Sequence, residues 1–388
     1  MVERTQFDIP DLFITENSDQ QNYVSTHGII LSHGWGQRKL LFGKIEALAL
    51  YWDPIAMPEI IVVYAGAAPF MYSEILHEMY GKIPGTKVEW HLYDPREIVL
   101  SSKVQNMTVY QEYFTNETAQ RYAGLKNVFF FSDIRTIDSA GIIQKCYDRY
   151  SIIRDQKGWP IPTSDKDLVA KAKTEANTEV EDGIMSDMLM QQEWVMIMNP
   201  EHAFLKMRLP YIYDSSPEEH YHVQYLAGEV ILQAWAKPKS TETRLHPIRN
   251  ADGKYYLDDW DSKEYESLLA YHNITVRKRN RYFNPLNPTD PNDFDIDPPE
   301  LYADWDSCAE ATILKLYCVK MRVPLEEIKM KVIELSRTIT AMLNTKRGMM
   351  KTLARLREVS DREDIKNMFQ NQKRSQFQRK PPVRTPRK

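Results

Sequence analysis

Ile60-Ile-Val-Val-Tyr64 has no polar side to turn to water, so the strand it forms must be covered on both faces. Sheets covered on both faces are built from parallel strands, because the crossover between two parallel strands is usually a helix that packs back on the sheet. The sequence around the run supplies such helices. Leu40, Leu41, Ile45, Leu48 and Ala49 recur at helical spacing between Gln37 and Trp52, and the pattern ends before Asp53-Pro54. After the run comes a small-residue loop, Ala65-Gly-Ala-Ala-Pro69, and then an expected helix from Phe70 to Tyr80.

The alternation continues. Lys87 to Tyr93 reads as a strand that stops at Asp94-Pro95-Arg96, and Val128-Phe-Phe-Phe-Ser132 as one that stops at Asp133-Ile134-Arg135. Trp194 to Met198 reads as a strand leading to Asn199-Pro200, Ala203 to Leu209 as another, and Glu229 to Trp235 with Glu242 to His246 as a terminal hairpin. Residues 155–191 are charged and interrupted by Pro160 and Pro162, and read as an insertion with a helix near its end. Asp261 to His272, Ser307 to Met321 and Pro324 to Leu343 read as helices. The expected fold class is α/β, a doubly wound, mostly parallel sheet with a C-terminal helical extension. The expected organisation is a lead-in over 1–30, a main domain over 31–285 carrying the 155–191 insertion, a Pro/Asp/Asn-rich linker over 286–306, a helical extension over 307–360 and a basic tail over 361–388.

Several classes are excluded. The longest uncharged apolar run, Ile60 to Tyr72, is too short to span a bilayer and contains Gly66 and Pro69. The first residues lack a basic start followed by an apolar stretch, so a secretory signal is not expected and a reducing compartment is. Cys146, Cys308 and Cys318 are odd in number and widely spaced, which argues for packing roles over disulfides or a thiolate metal site. Net charge is −4, yet residues 371–388 hold seven Lys/Arg and no acid, leaving 43 basic against 54 acidic residues elsewhere, or −11. An acidic body with a basic arm suits contact with phosphates; a merely solubilising tail fits the composition equally.

Ligands of open α/β sheets bind beyond the carboxyl ends of the strands. The loop Ala65 to Pro69 is small enough to let a ligand reach backbone, and Asp94 is placed to accept ribose hydroxyls. A tight turn and an ordinary strand exit are the competing readings. No G-x-G-x-x-G and no phosphate-binding Lys-Ser/Thr are present, which disfavours dinucleotide and ATP. Asp133 ends an aromatic strand where an acid has no packing reason to be, and Lys206 sits within an apolar strand pattern. Glu218-Glu-His220-Tyr-His222 lacks a third metal ligand nearby, so no metal is expected. Arg277 to Arg281, mixed with aromatics, reads either as an RNA-following stretch or as a plain basic strand.

Six pieces occur in one order: Gly36-Gln-Arg-Lys39-Leu-Leu, Val62 to Pro69, Val88 to Arg96, Phe131-Ser-Asp133-Ile-Arg135, Met198-Asn-Pro200 and Leu205-Lys206-Met-Arg208-Leu-Pro210. Together, from about Gly34 to Pro285, they resemble the poxvirus cap-specific mRNA (nucleoside-2′-O)-methyltransferase, a family that doubles as the small subunit of the viral poly(A) polymerase. The insertion, the C-terminal helices and the tail lie outside the resemblance. It implies a Rossmann-like, S-adenosylmethionine-dependent methyltransferase fold with the catalytic tetrad Lys39, Asp133, Lys206 and Glu242, the last resting on Glu-x-Arg-Leu. It implies cofactor contacts from Gln37, Tyr64, Gly66, Ala68, Pro69, Asp94, Arg96 and Ile134. It departs at Phe70, where the family has glycine: the ring either narrows the cofactor pocket or turns to the core. For the cap, it implies Tyr211 as a stacking ring, Tyr23 as the second, and Glu266 and Asp214 as edge-reading acids, Asp214 with a one-residue shift. Lys206 would be the general base. Lys39 and burial would lower its pKa, Asp133 and Glu242 would raise it, and the sequence leaves the balance open.

The implied activity is methylation of the ribose 2′-hydroxyl of the first transcribed nucleotide, cap 0 to cap 1. The rivals are an RNA-binding stimulatory subunit of a poly(A) polymerase and a methyltransferase of another RNA. The expected partners are capped mRNA and a polymerase catalytic subunit, with no membrane. The expected location is the viral factory of the host cytoplasm, with packaging in the virion.

Overall fold

The computed structural model describes residues 11–15, 17–23, 36–98, 100–155, 160–161, 165–214, 216–237, 239–277 and 305–344. The linker up to 304, the basic tail and Lys278 to Arg281 lie outside them. The chain divides into two compact units, Met1–Arg337 and Thr338–Lys388.

In chain order the first unit begins with a two-residue strand, β1 (Phe13–Ile14), and the helix α1 (Gly36–Tyr51). Then come β2 (Glu59–Ala65), α2 (Ser73–Tyr80), β3 (Lys87–Tyr93), β4 (Met107–Tyr110), α3 (Asn116–Gln120), β5 (Val128–Ser132) and α4 (Ser139–Arg149). The 33-residue α5 (Lys166–Met198) leads to β6 (His202–Met207), β7 (His222–Leu226), β8 (Gly228–Ile231), β9 (Thr243–Pro247), β10 (Leu257–Asp261) and α6 (Ser262–Tyr271). After a π-helical turn (His272–Val276) the described chain resumes with α7 (Trp305–Lys320) and α8 (Ile328–Asn344), whose end belongs to the second unit.

Eight strands form one sheet in the order β1-β8-β9-β6-β5-β2-β3-β4. β4, β3, β2, β5 and β6 are parallel neighbours, and β9, β8 and β1 add antiparallel pairs at the far side. β7 and β10 form a separate antiparallel pair. As its sequence requires, β2 lies between two parallel strands, with Val62, Val63, Tyr64 and Ala65 fully buried. β4 escapes sequence reading because four residues on a half-exposed edge carry almost no pattern.

Two elements differ from the sequence reading. Trp194 to Met198, read as a strand, forms the last turns of α5, and the 155–191 insertion supplies the rest of that helix. Ala172, Ala176, Ile184, Met188, Gln191, Trp194, Val195 and Met198 are buried along one stripe, mostly three or four residues (or two turns) apart, so the short apolar run is the end of a long helical face. Asp165 caps its first turn by accepting from the amides of Asp167 and Leu168, and Asn199, left-handed at φ 44°, ends it. The helix expected from Phe70 begins at Ser73, because Phe70 sits at φ +52°, outside helical space.

α1 is buried on almost every side, Arg38, Lys44 and Glu46 included, because the sheet covers one face and α7 the other. Glu310 of α7 accepts from Arg38 Nε at 2.6 Å, Trp235 Nε1 at 2.8 Å and Ser336 Oγ at 2.7 Å. Asp306, also on α7, accepts from the Trp235 amide at 2.7 Å and from Arg277 at 2.9 and 3.1 Å. The first helix of the extension therefore fastens the start of α1 to the loop between β8 and β9. Arg277, the first residue of the stretch read either as RNA-following or as a plain basic strand, is fully engaged here and buried. Removing one partner from such a buried pair costs about 3–5 kcal/mol. Asp306→Ala is expected to lower unfolding stability by that amount, measured as a shift in the urea midpoint.

Candidate active site

Parallel strands bring their carboxyl ends to one edge, so Ala65, Tyr93, Ser132 and Met207, the last residues of β2, β3, β5 and β6, stand in a row. β9 runs against β6 with Met207 opposite Thr243, which puts Glu242 at the same edge. α1 precedes β2 through a short connection and returns along the sheet, so its first turn, with Gln37 and Lys39, arrives there too.

Four charged side chains from four elements meet at this edge. Glu242 accepts from Lys39 Nζ with one oxygen and lies 3.2 Å from Lys206 Nζ with the other. Arg135, from the loop after β5, stands 4.0 Å from Glu242 and 3.7 Å from Asp187 of α5. Asp133 lies beside them but is held from behind: Arg244 takes Oδ1, while Tyr64 Oη at 2.8 Å and Lys44 Nζ at 3.3 Å take Oδ2. Burial alone would raise both carboxyl groups. For Asp133, Arg244 and Lys44 outweigh it, and for Glu242, Lys39 and Lys206 do, so both are held well below the ordinary carboxylate range. Lys206 moves the other way. Burial is the largest influence and pulls its pKa below the ordinary value, against Glu242 and Asp133, with Lys39 and Arg135 adding to the fall. The balance that the sequence leaves open goes to burial.

Lys206 is also fixed through its backbone. Its amide donates to Gln191 Oε1 at 3.2 Å and its carbonyl accepts from Gln191 Nε2 at 3.0 Å. β5 pairs with β6 only as far as Ser132 opposite Leu205, so the next residue needs another partner, and the last turns of α5 provide it.

The residues expected to hold a cofactor lie at the end of β2 and β3. Gly66 takes φ +79°, and a Cβ there would stand 2.9 Å from the backbone of Asp133 and Ile134, so only glycine lets the loops meet. Asp94 accepts from the Ala68 amide at 3.0 Å and from the Arg96 amide at 2.9 Å, and Arg96 also folds its guanidinium onto it at 2.8 Å. Burial pushes Asp94 up, but Arg96 and the two amides prevail and hold its carboxyl below the ordinary value. Because Arg96 is 71% exposed, it can leave the carboxylate to an incoming diol. Gln37 Oε1 and Ser132 Oγ are buried with no hydrogen-bond partner. Pro69 is exposed and Ile134 half-buried at the rim. A buried acid behind a mobile cation, with two orphaned polar atoms at the same edge, fits an adenosyl cofactor bearing hydroxyls and charged ends. Phe70 does not obstruct it: its ring is fully buried against Tyr72 at 4.9 Å, Tyr64 at 5.8 Å and Trp90 at 5.9 Å.

The residues expected at the cap are only partly assembled. Tyr211 lies under the guanidinium of Arg208, 4.3 Å from its ring centre, and its amide donates to Glu181 at 3.2 Å. Arg208 also donates to Glu181 at 2.7 Å. Glu266 shares this environment: burial raises its carboxyl, as does the nearby charge of Glu181, while Arg208 lowers it. Asp214 is exposed and Tyr23 is 50% exposed, and neither joins the hydrogen bonds of this group. A cavity of about 380 Å³ opens between Lys39, Arg135, Arg208, Lys237 and Glu242. His220 and His222 instead pair singly with Asp182 and Asp259, and among the described residues no group of three His, Cys, Asp or Glu can hold a metal.

Sequence reasoning misses Lys44, Arg244, Gln191 and Glu181. Arg244 lies within the Glu-x-Arg motif that locates Glu242, so a signal existed. Lys44, on a helix read as amphipathic, offers none.

The strand order and this edge define a Rossmann-like domain of the methyltransferase type. Residues 6–146 and 166–345 match the family described as poly A polymerase regulatory subunit, and the chain belongs to that family. The match takes in α7 and α8, which the sequence resemblance left outside, and stops before the tail. No curated protein matches the chain. Among solved structures, one described as bluetongue virus VP4, "a multifunctional RNA-capping production-line", is similar at 12% identity and a TM-score of 0.35. The similarity covers 69% of this chain, which spans about a third (36%) of that one. The fold assignment stands on the strand order, not on that likeness.

A Phe at positive φ costs about 1–2 kcal/mol, whereas deleting a buried Phe ring costs about 3–5 kcal/mol. Phe70→Gly is therefore expected to lose stability, by roughly 2 kcal/mol in urea unfolding, despite relieving the backbone.

Proposed function

We propose that the chain is a cap-specific mRNA 2′-O-methyltransferase that converts cap 0 to cap 1. The observation that carries the reading is Lys206: a lysine half-buried at the carboxyl end of a parallel strand, clamped through both backbone groups, with a depressed pKa and a carboxylate shared with Lys39. A neutral amine so placed can accept a proton near neutral pH, which an ordinary lysine cannot.

S-adenosylmethionine, when bound, supplies the sulfonium methyl. The chain's own residues do the rest. Asp94 and the loop from Gly66 to Pro69 hold the adenosyl end, and Gln37 and Ser132 offer polar atoms beside it. With the cofactor supplying the methyl group, Lys206 Nζ would take the proton of the attacking 2′-hydroxyl. Glu242 orients Lys206, and Lys39 and Arg135 stabilise the negative charge developing on the oxygen. Asp133, already neutralised by Arg244 and Lys44, is structural in this scheme. Tyr211 and Glu266 receive the methylated guanine, with Arg208 leaving the ring face to a second cation.

A second reading, a stimulatory subunit of a poly(A) polymerase, is favoured by the family to which the chain belongs and is compatible with the first. The proposed setting of both is the cytoplasm of an infected host cell.

The test is transfer of labelled methyl from S-adenosylmethionine to short cap-0 and cap-1 RNAs. Label is expected in cap-0 RNA only, with Lys206→Ala lowering the rate at least about 100-fold, the range for loss of a general base. Equal labelling of both RNAs, or full activity in Lys206→Ala, would refute the assignment. RNA binding without any label would leave the polymerase-subunit reading in its place.

A further inference from the structure

Lys44 lies on α1 five residues after Lys39, almost wholly buried, in a helix packed between the sheet and α7. Its Nζ stands 3.8 Å from the centre of the Tyr64 ring, 5.3 Å from that of Phe131 and 5.9 Å from that of Tyr72. Three aromatic faces form a box suited to a cation, and among the described residues the anion in contact is Asp133, whose Oδ2 lies at 3.3 Å. Burying an ammonium is costly unless it is paired, so this lysine is held for the charge it brings to Asp133.

Asp133 is the second carboxylate of the site, next to Lys206. With Arg244 on Oδ1, and Lys44 and Tyr64 on Oδ2, both of its oxygens are already engaged, while the ion pair of Lys206 is made with Glu242. An opposite charge brought within about 4–6 Å stabilises an ammonium by roughly 1–3 pKa units. We propose that Lys44 is a positioning residue: it engages Asp133 and offsets part of its charge, so that the pull of Asp133 on Lys206 is weakened and Lys206 can give up its proton.

The surrounding charges agree with this assignment. Lys206 faces Glu242 from before β9, Asp133 and Arg135 from the loop after β5, and Lys39 from α1. Lys44 faces Asp133, Arg244 of β9 and Lys39 of its own helix, together with the hydroxyls of Tyr64 and Tyr72, which burial keeps neutral. Burial brings Lys44 down to about 7 against the pull of Asp133, so its charge, and with it the hold on Asp133, strengthens as the solution becomes more acid.

The inference rests on the reading of Lys206 as proton acceptor, but its test needs no methyl transfer. The full chain is labelled with 13C at lysine Cε, the Lys206 signal is assigned by its loss in Lys206→Arg, and its titration is followed by NMR. Lys44→Met keeps the apolar stem; Lys44→Gln keeps a neutral hydrogen bond and serves where the first variant does not fold. In either variant the Lys206 midpoint is expected to rise by about one pH unit or more, since Asp133 is freed to act on it. Where the wild type transfers methyl, the acid limb of its pH–rate profile should move upward with it. An unchanged or lower midpoint would overturn the inference, because a purely structural lysine would cost stability without moving that titration. A raised midpoint in a chain that transfers no methyl would refute the proposed activity and leave the positioning role standing.

Discussion

Two buried carboxylates, Asp133 and Glu242, tie together the elements that meet at the carboxyl edge of the sheet. Each is surrounded by cations from other parts of the chain: Arg244 and Lys44 around the first, Lys39 and Lys206 around the second. At an effective dielectric constant near 20, two unit charges about 4 Å apart attract by roughly 4 kcal/mol, enough to offset much of the cost of removing them from water. The arrangement is self-consistent only if β5 and β6 end, and α1 and β9 begin, at this edge, as they do. More cations than anions gather here, and a site with that excess favours a reaction in which negative charge develops on a substrate oxygen.

The supporting structure reaches well beyond the sheet. α5 places Glu181, Asp187 and Gln191 along one face, where they hold Arg208 and Tyr211, Thr136 and Arg135, and the backbone of Lys206. α7 grips the start of α1 through Glu310 and the loop after β8 through Asp306. Lys39 follows directly on Arg38, and Glu242 ends the loop in which Trp235 stands, so the two ends of one ion pair are anchored to the same helix.

What the sequence disclosed and what it hid follow from the range of the interactions. The central parallel strands are legible because a strand buried on both faces has to be apolar, as in Ile60 to Tyr64 and Val128 to Phe131. Trp194 to Met198 obeys that rule equally well and is helical, because its partners in the stripe, from Ala172 to Gln191, lie in the preceding segment, whose charges conceal them. Asp133 stands out as an acid ending an aromatic strand and Lys206 as a lysine within an apolar strand pattern, whereas Glu242 opens a hairpin strand and is located by Glu-x-Arg-Leu. Lys44 does not stand out, since a lysine on a helix is ordinarily solvated and only the tertiary packing buries it. Nor could any local signal reveal that Phe70 turns into the core, because that depends on Tyr72, Tyr64 and Trp90 closing around it.

The assignment of Lys206 as proton acceptor is tested most directly by a crystal structure of the chain with S-adenosylhomocysteine and a short cap-0 RNA. The expected result places the 2′-oxygen of the first transcribed nucleotide within about 2.6–3.2 Å of Lys206 Nζ, with the methylated guanine on Tyr211. An RNA strand whose ribose lies away from this edge, with Lys206 still closed onto Glu242, would contradict it.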